Sequence, residues 1–174
     1  MAPFLVTPAD LTWKVGVDVM SFGATKNGAM MLEAVVLFDL ALAEDFAYRR
    51  MRSGQLISKS RYLGAQMLAY LDNGLWLDNA RRANSLAQKL SHGLRQSNTI
   101  RIPNPVQANE VFAIIPRALN GRLLAAGAKF YDWMPDSLGG AIAEDEIFVR
   151  FVLSFATPDA DVDHFLTLIA ATEK

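Results

Sequence analysis

The chain has no cysteine. Disulfides, thiolate nucleophiles and cysteine-ligated metals are therefore excluded, and the composition fits a reducing compartment. It has only two histidines, His92 and His164, far apart in sequence. A zinc site built from these two alone is disfavoured. Charge of one sign is lacking too: 17 basic residues stand against 18 acidic ones. Nothing in that balance favours capture of nucleic acid or an anionic membrane. No apolar run reaches the roughly 18–20 residues of a membrane span. The opening residues, Met1-Ala2-Pro3-Phe4-Leu5-Val6, lack the basic flank of a secretory leader. No internal repeat or low-complexity segment is present. The expectation is a soluble cytoplasmic protein with no nucleic-acid or membrane partner. Its 174 residues, 52% of them hydrophobic, suffice for a real core.

The most informative stretch surrounds Lys26. An apolar run from Val17 to Phe22 stops at Gly23, and a second apolar run spans Met30 to Phe38. Between them Lys26 is followed by Asn27 and Gly28. The pattern predicts strand, tight polar loop, strand, with one amine held between two rigid elements. An amine held this way suits Schiff-base chemistry if desolvation lowers its pKa and frees the nucleophilic form. On spacing alone, a solvated turn lysine between two strands is the favoured reading. Both strands are apolar throughout rather than alternating, which predicts strands covered on both faces inside a larger sheet.

Elsewhere, Thr7-Pro8-Ala9-Asp10 reads as a capped helix start that stops near Gly16. Helical periodicity runs from Leu40 to about Ser53 and breaks at Gly54. Ser58 is the expected cap of a next helix carrying Leu63, Met67, Tyr70 and Leu71. Asp72-Asn73-Gly74 reads as a turn or kink, and a long amphipathic helix follows to about Arg95. Short strands are expected at Ile100–Ile102, Glu110–Ile115 and Phe130–Trp133, with a strong one from Glu146 to Phe155. A helix is expected from Asn120 to Ala126, a loop from Pro135 to Ala143, and a closing helix after Thr157-Pro158-Asp159. Arg150 lies in the apolar strand Phe148-Val149-Arg150-Phe151-Val152. There it must reach an edge or find an anion, because a buried unpaired charge is costly. Trp13, Trp76 and Trp133 read as core or interface anchors.

The segment Ser21-Phe22-Gly23-Ala24-Thr25-Lys26-Asn27-Gly28, preceded by Gly16-Val17-Asp18-Val19, resembles the cofactor-lysine segment of the low-specificity threonine aldolases. These are fold-type I enzymes that use pyridoxal 5′-phosphate (PLP). The likeness continues through Glu33-Ala34-Val35-Val36, the helical stretch from Asp45 to Leu90, Arg150-Phe151-Val152 and the final Asp161-Val162-Asp163-His164-Phe165. It implies an α/β fold: the tail of a PLP-binding large domain over 1–56, connecting helices over 57–96, and a small C-terminal α+β domain over 97–174. It implies that Lys26 is the catalytic, cofactor-bearing residue. Thr25 either bonds the phosphate or shapes the loop. Arg52 and Lys59 have the seven-residue spacing of the family's basic pair near the cofactor phosphate. Arg150 stands where the family holds the substrate carboxylate. The aspartate that pairs with the cofactor ring lies well before the lysine in the family, so Asp18 does not take that role.

The implied reaction cleaves β-hydroxy-α-amino acids of the threonine and allo-threonine type to glycine and an aldehyde, by a homo-oligomer (dimer or tetramer). The family's enzymes are about twice as long, a two-domain size. The resemblance therefore describes a C-terminal part, expected to be incomplete and inactive alone. Two alternatives stay open: a non-catalytic fragment or dimerisation module, and a PLP-dependent β-eliminating lyase.

Overall fold

The computed structural model describes residues 6–134 and 141–172. The chain divides into two units, Met1–Trp76 and Leu77–Lys174.

In the first unit, Thr7 and Asp10 form a reciprocal cap on a short 3-10 turn, Pro8–Leu11. Hydrogen bonds from Lys14 and then Thr7 hold the Asp10 carboxyl down to about 2. A second turn ends at Gly16, whose φ of 91° lies in the left-handed region. Strands β1 (Val19–Gly23) and β2 (Glu33–Leu37) pair antiparallel, with Ser21 opposite Val35. They were expected to be covered on both faces. Instead Val19 and Val35 are about half exposed, since two strands with one small cluster cannot bury both faces. The expected single helix over 40–53 is interrupted. Asp39 caps a tight turn at Leu40–Ala43, and α1 (Phe46–Arg52) begins only after Asp45. Helix α2 (Ser60–Leu71) starts without the expected Ser58 cap: Lys59 holds that position and makes no capping bond, while the Ser60 amide closes onto the Ile57 carbonyl. At the expected kink, Asn73 adopts a φ of 49°. Ala24, Leu32 and Tyr70 are buried together, with Phe22, Leu63, Met67 and Trp76 packed around them.

Helix α3 (Leu75–Leu94) supplies much of the second unit's core. Strand β3 (Glu110–Pro116), α4 (Arg117–Ala125), β4 (Tyr131–Asp132), β5 (Glu146–Val152) and α5 (Asp159–Thr172) follow. The sheet is antiparallel in the order β3-β5-β4. Val111, Ala113 and Ile115 alternate inward from β3, as do Val149 and Phe151 from β5. Leu86, Leu90 and Leu94 of α3, Leu119 and Leu123 of α4, and Val162 and Ile169 of α5 complete this core. Gly93 permits close approach of α5: a Cβ there would meet the Leu166 side chain at 2.5 Å. Ile100–Ile102 forms only a bridge from Arg101 to Ile114, because Pro103 and Pro105 end its donors. Helix α4 starts three residues before Asn120, since Pro116 already sets an entering φ of −59°. Most of the expected Pro135–Ala143 loop lies outside the described residues.

Charges on α3 grip the start of α5. Arg82 bonds Asp159 at 2.5 Å and the Thr157 carbonyl at 3.3 Å, and Lys89 bonds Asp163 at 2.7 Å. The Arg82 hydrogen bond lowers the Asp159 carboxyl from 3.8, and the Asp163 hydrogen bond raises the Lys89 amine from 10.5. A depressed carboxyl stabilises the fold above its unfolded pKa, and that support goes as pH falls through the lower folded value. A raised amine stabilises it below its unfolded pKa, and that support goes as pH rises past the higher folded value. The melting temperature should therefore fall below about pH 4 and above about pH 10.5. Both limbs are shallow and shrink with salt, because the pairs are exposed. Arg82→Met should flatten the acid limb, as read by thermal melts across pH.

Candidate active site

Lys26 lies in a single 3-10 turn, Thr25–Asn27, between β1 and β2. The turn is held by its neighbours. Thr25 Oγ1 donates to the Leu32 carbonyl at 3.1 Å and accepts from the Leu32 amide at 2.9 Å, which closes the loop. Asn27 Nδ2 donates to Tyr70 Oη at 2.6 Å and to the Trp76 carbonyl at 2.9 Å. Gln66 Oε1 accepts from the Met30 and Met31 amides. Gly28, with a φ of 126°, makes a turn that a side chain would strain. The loop is thus pinned to α2 and the start of α3, on a fully buried Ala24. Lys26 itself is exposed, and among the described residues it makes no ion pair. The desolvation expected from sequence is not supplied within this chain's described residues.

Arg52 ends α1 and Lys59 precedes α2; both are exposed. No hydrogen bond or ion pair joins either to Lys26 or Thr25 among the described residues. Arg150 belongs to the second unit. Period two on β5 turns it away from the core that takes Val149 and Phe151, yet it is not solvated like an ordinary surface arginine: its side chain is 26% exposed. The guanidinium lies 3.9 Å from the Trp133 ring centroid, and Nη1 is 3.4 Å from Glu110. Arg150 Nε is buried without a hydrogen-bond partner, as is Asn120 Oδ1.

Sequence reasoning missed Glu110, Gln66 and the Asn27–Tyr70 bond. Strand register carries a signal for the first. Phe112 opposes Arg150, so Glu110 is its diagonal neighbour on the same face. The other two join positions about forty residues apart, beyond any local pattern. The tryptophans divide: Trp76 packs edge-on against Phe22, Trp133 covers Arg150, and Trp13 is exposed instead of anchoring a core. A cleft of about 390 Å³, with Leu90, Phe130, Phe151 and Phe165 among its lining, brings in none of the expected site residues. No cluster of acidic residues and histidines fit to hold a metal occurs among the described residues, and none of their helices is long and apolar enough to cross a membrane.

No family model matches the chain. It is 41% identical over 156 residues to the low specificity L-threonine aldolase of Pseudomonas sp. (strain NCIMB 10558), covering 90% of this chain and 42% of that protein. The chain matches the low-specificity threonine aldolases. The Pseudomonas aeruginosa threonine aldolase shows the same 41% identity over 151 residues, covering 87% of this chain and 41% of the relative. The chain therefore spans less than half the length of the curated relatives it matches. In fold it is similar to a threonine aldolase from Leishmania major, with a TM-score of 0.85 at 23% identity, over 97% of this chain and 46% of that one. A NifS-like protein matches at a TM-score of 0.51 and 20% identity, over 64% of this chain and 32% of that one. The α/β expectation holds on these likenesses.

The loop tether is open to direct measurement. Asn27→Ala should destabilise the first unit by about 1–3 kcal/mol, because it leaves the buried Tyr70 hydroxyl and the Trp76 carbonyl short of a donor. Tyr70→Phe should cost less, and the double variant should cost less than the sum. Urea denaturation of the four proteins measures the coupling, and faster hydrogen exchange at the Ala24 and Ala29 amides would locate it in the loop.

Proposed function

We propose that this chain supplies the cofactor lysine and the substrate-carboxylate arginine of a PLP-dependent aldolase. Its substrates are β-hydroxy-α-amino acids of the threonine type, cleaved in the cytoplasm to glycine and an aldehyde. The observation that carries this reading is Lys26: an accessible amine without an ion pair among the described residues, on a loop pinned by its neighbours, in a sequence 41% identical to low specificity L-threonine aldolases.

The residues present fit the cofactor. An exposed amine on a rigid turn can attack an aldehyde without first breaking a salt bridge, and a pinned loop limits the entropy lost when the attachment forms. Arg52 and Lys59 are exposed cations suited to a phosphate dianion. The Thr25 hydroxyl hydrogen is already committed to Leu32, so its part is to keep the loop's shape. When bound, PLP supplies the electron sink for cleavage between Cα and Cβ. Lys26 Nζ then serves as the local proton carrier. Arg150 presents Nε to the substrate carboxylate and fixes the amino acid's orientation. The fold alone does not select aldol cleavage over β-elimination; the relatives' identity favours the aldolase.

A second reading has its own observation. In the first unit Met30, Leu40, Tyr48 and Leu68 are all at least 70% exposed. Exposed apolar side chains in this number suit an interface, so the chain alone can serve as an assembly module, and the working enzyme as a homo-oligomer.

The test is covalent mapping. Purified chain mixed with PLP, reduced with borohydride and digested should carry its adduct on Lys26. Lys26→Ala should lose the adduct and the accompanying near-visible absorbance band. An adduct spread evenly over Lys14, Lys59, Lys89 and Lys129, unchanged by Lys26→Ala, would sink the cofactor reading.

A further inference from the structure

We infer that Trp133 is a positioning residue that holds Arg150 as a preformed monocarboxylate fork, and that Glu110 tempers the charge of that fork; this rests on the reading of Arg150 as the substrate-carboxylate residue. A guanidinium donates only in its own plane, from its edges. Its face can be covered by a ring at no cost in hydrogen bonds, and Trp133 provides that cover at 3.9 Å from its centroid. Trp133 is itself fixed. Its backbone amide donates to the Phe148 carbonyl at 2.9 Å, and its ring leans on Phe112, which stacks on Phe148. Glu110 occupies Nη1 at 3.4 Å. The edge that Glu110 does not take is the one formed by Nε and Nη2, and Nε on that edge is buried and has no hydrogen-bond partner among the described residues. Two parallel donors on one edge match the two oxygens of a carboxylate.

Glu110 also sets the charge. Its carboxylate partly balances Arg150, so the fork suits one incoming negative charge, and a second carboxylate on the ligand would face repulsion. The chemical class is a neutral-side-chain α-amino acid, bound through its carboxylate.

The two residues act with opposite sign. Loss of the Trp133 ring removes cation–π support and the packing that holds the guanidinium. Loss of the Glu110 charge removes a competitor for the arginine. A merely structural role would weaken binding in both cases.

The experiment follows the Arg150 Nε–Hε signal by NMR in the whole 174-residue chain, assigned by its loss in Arg150→Lys. The ligand is L-threonine, with L-threoninol as the matched compound lacking the carboxylate. L-threonine should shift the signal and L-threoninol should not. Trp133→Leu should weaken L-threonine binding roughly two- to fivefold, and Trp133→Phe should restore most of it. Glu110→Gln should tighten binding roughly two- to fivefold at low salt. If L-threonine leaves the wild-type signal unmoved, the carboxylate reading of Arg150 falls and this inference with it. If the wild type responds but Trp133→Leu binds equally well, the carboxylate reading stands and the positioning role of Trp133 is overturned; if Glu110→Gln weakens binding, the charge-tempering role of Glu110 is overturned.

Discussion

The pairing of β3 with β5 is the constraint on which the second unit depends. Seven residue pairs run from Glu110–Val152 to Pro116–Glu146. Side chains alternate on each strand, so the register that sends Val111, Ala113, Ile115, Val149 and Phe151 into one core sends Phe112 and Arg150 to the other face together. A slip of one residue would drive the guanidinium into the apolar core and expose Phe151. The cost of that error makes the register hard to lose. Burial energy spent on the core thus fixes where the charged residue stands, although Arg150 contributes nothing to the core itself.

The first unit solves a different problem by different means. Its lysine lies on a single short turn and is itself exposed. Hydrogen bonds from residues on either side of Lys26 add to the packing of Ala24 beneath the turn. Thr25 closes the loop onto Leu32, and Asn27 crosses to Tyr70 and the Trp76 carbonyl. The distant partners are largely buried or part-buried, so these bonds are shielded from water and hold their geometry better than surface bonds do. Lys26 can stay exposed while its backbone is fixed.

Local chemistry was largely legible in the sequence. The Thr7–Asp10 cap, the left-handed glycines at 16 and 54, the kink at Asn73 and the boundaries of α3 all follow from residues within a few positions of one another. The errors arose where a nearby rule met a competing contact. Ser58 is a good cap by type, but the Ile57 carbonyl takes the Ser60 amide and the helix enters at Lys59. Periodicity from Leu40 onward is helical, yet Asp39 tightens the first turn and splits the element. At the candidate site, Lys26 drew notice as the one amine in a tight polar loop between two apolar runs, and Arg150 as a charge within an apolar strand. Tyr70, Gln66 and Glu110 were not legible, since their value comes from partners that only the fold brings near.

A division of labour follows from where those partners lie. The residues that fix Lys26 are Thr25, Asn27, Gln66 and Tyr70, all before Leu77; those that bracket Arg150 are Glu110, Phe112 and Trp133, all after it. Each unit therefore orders its own charged group with its own contacts. A mutation that loosens one group need not disturb the other's local geometry, and changes in the two clusters should be nearly additive in stability.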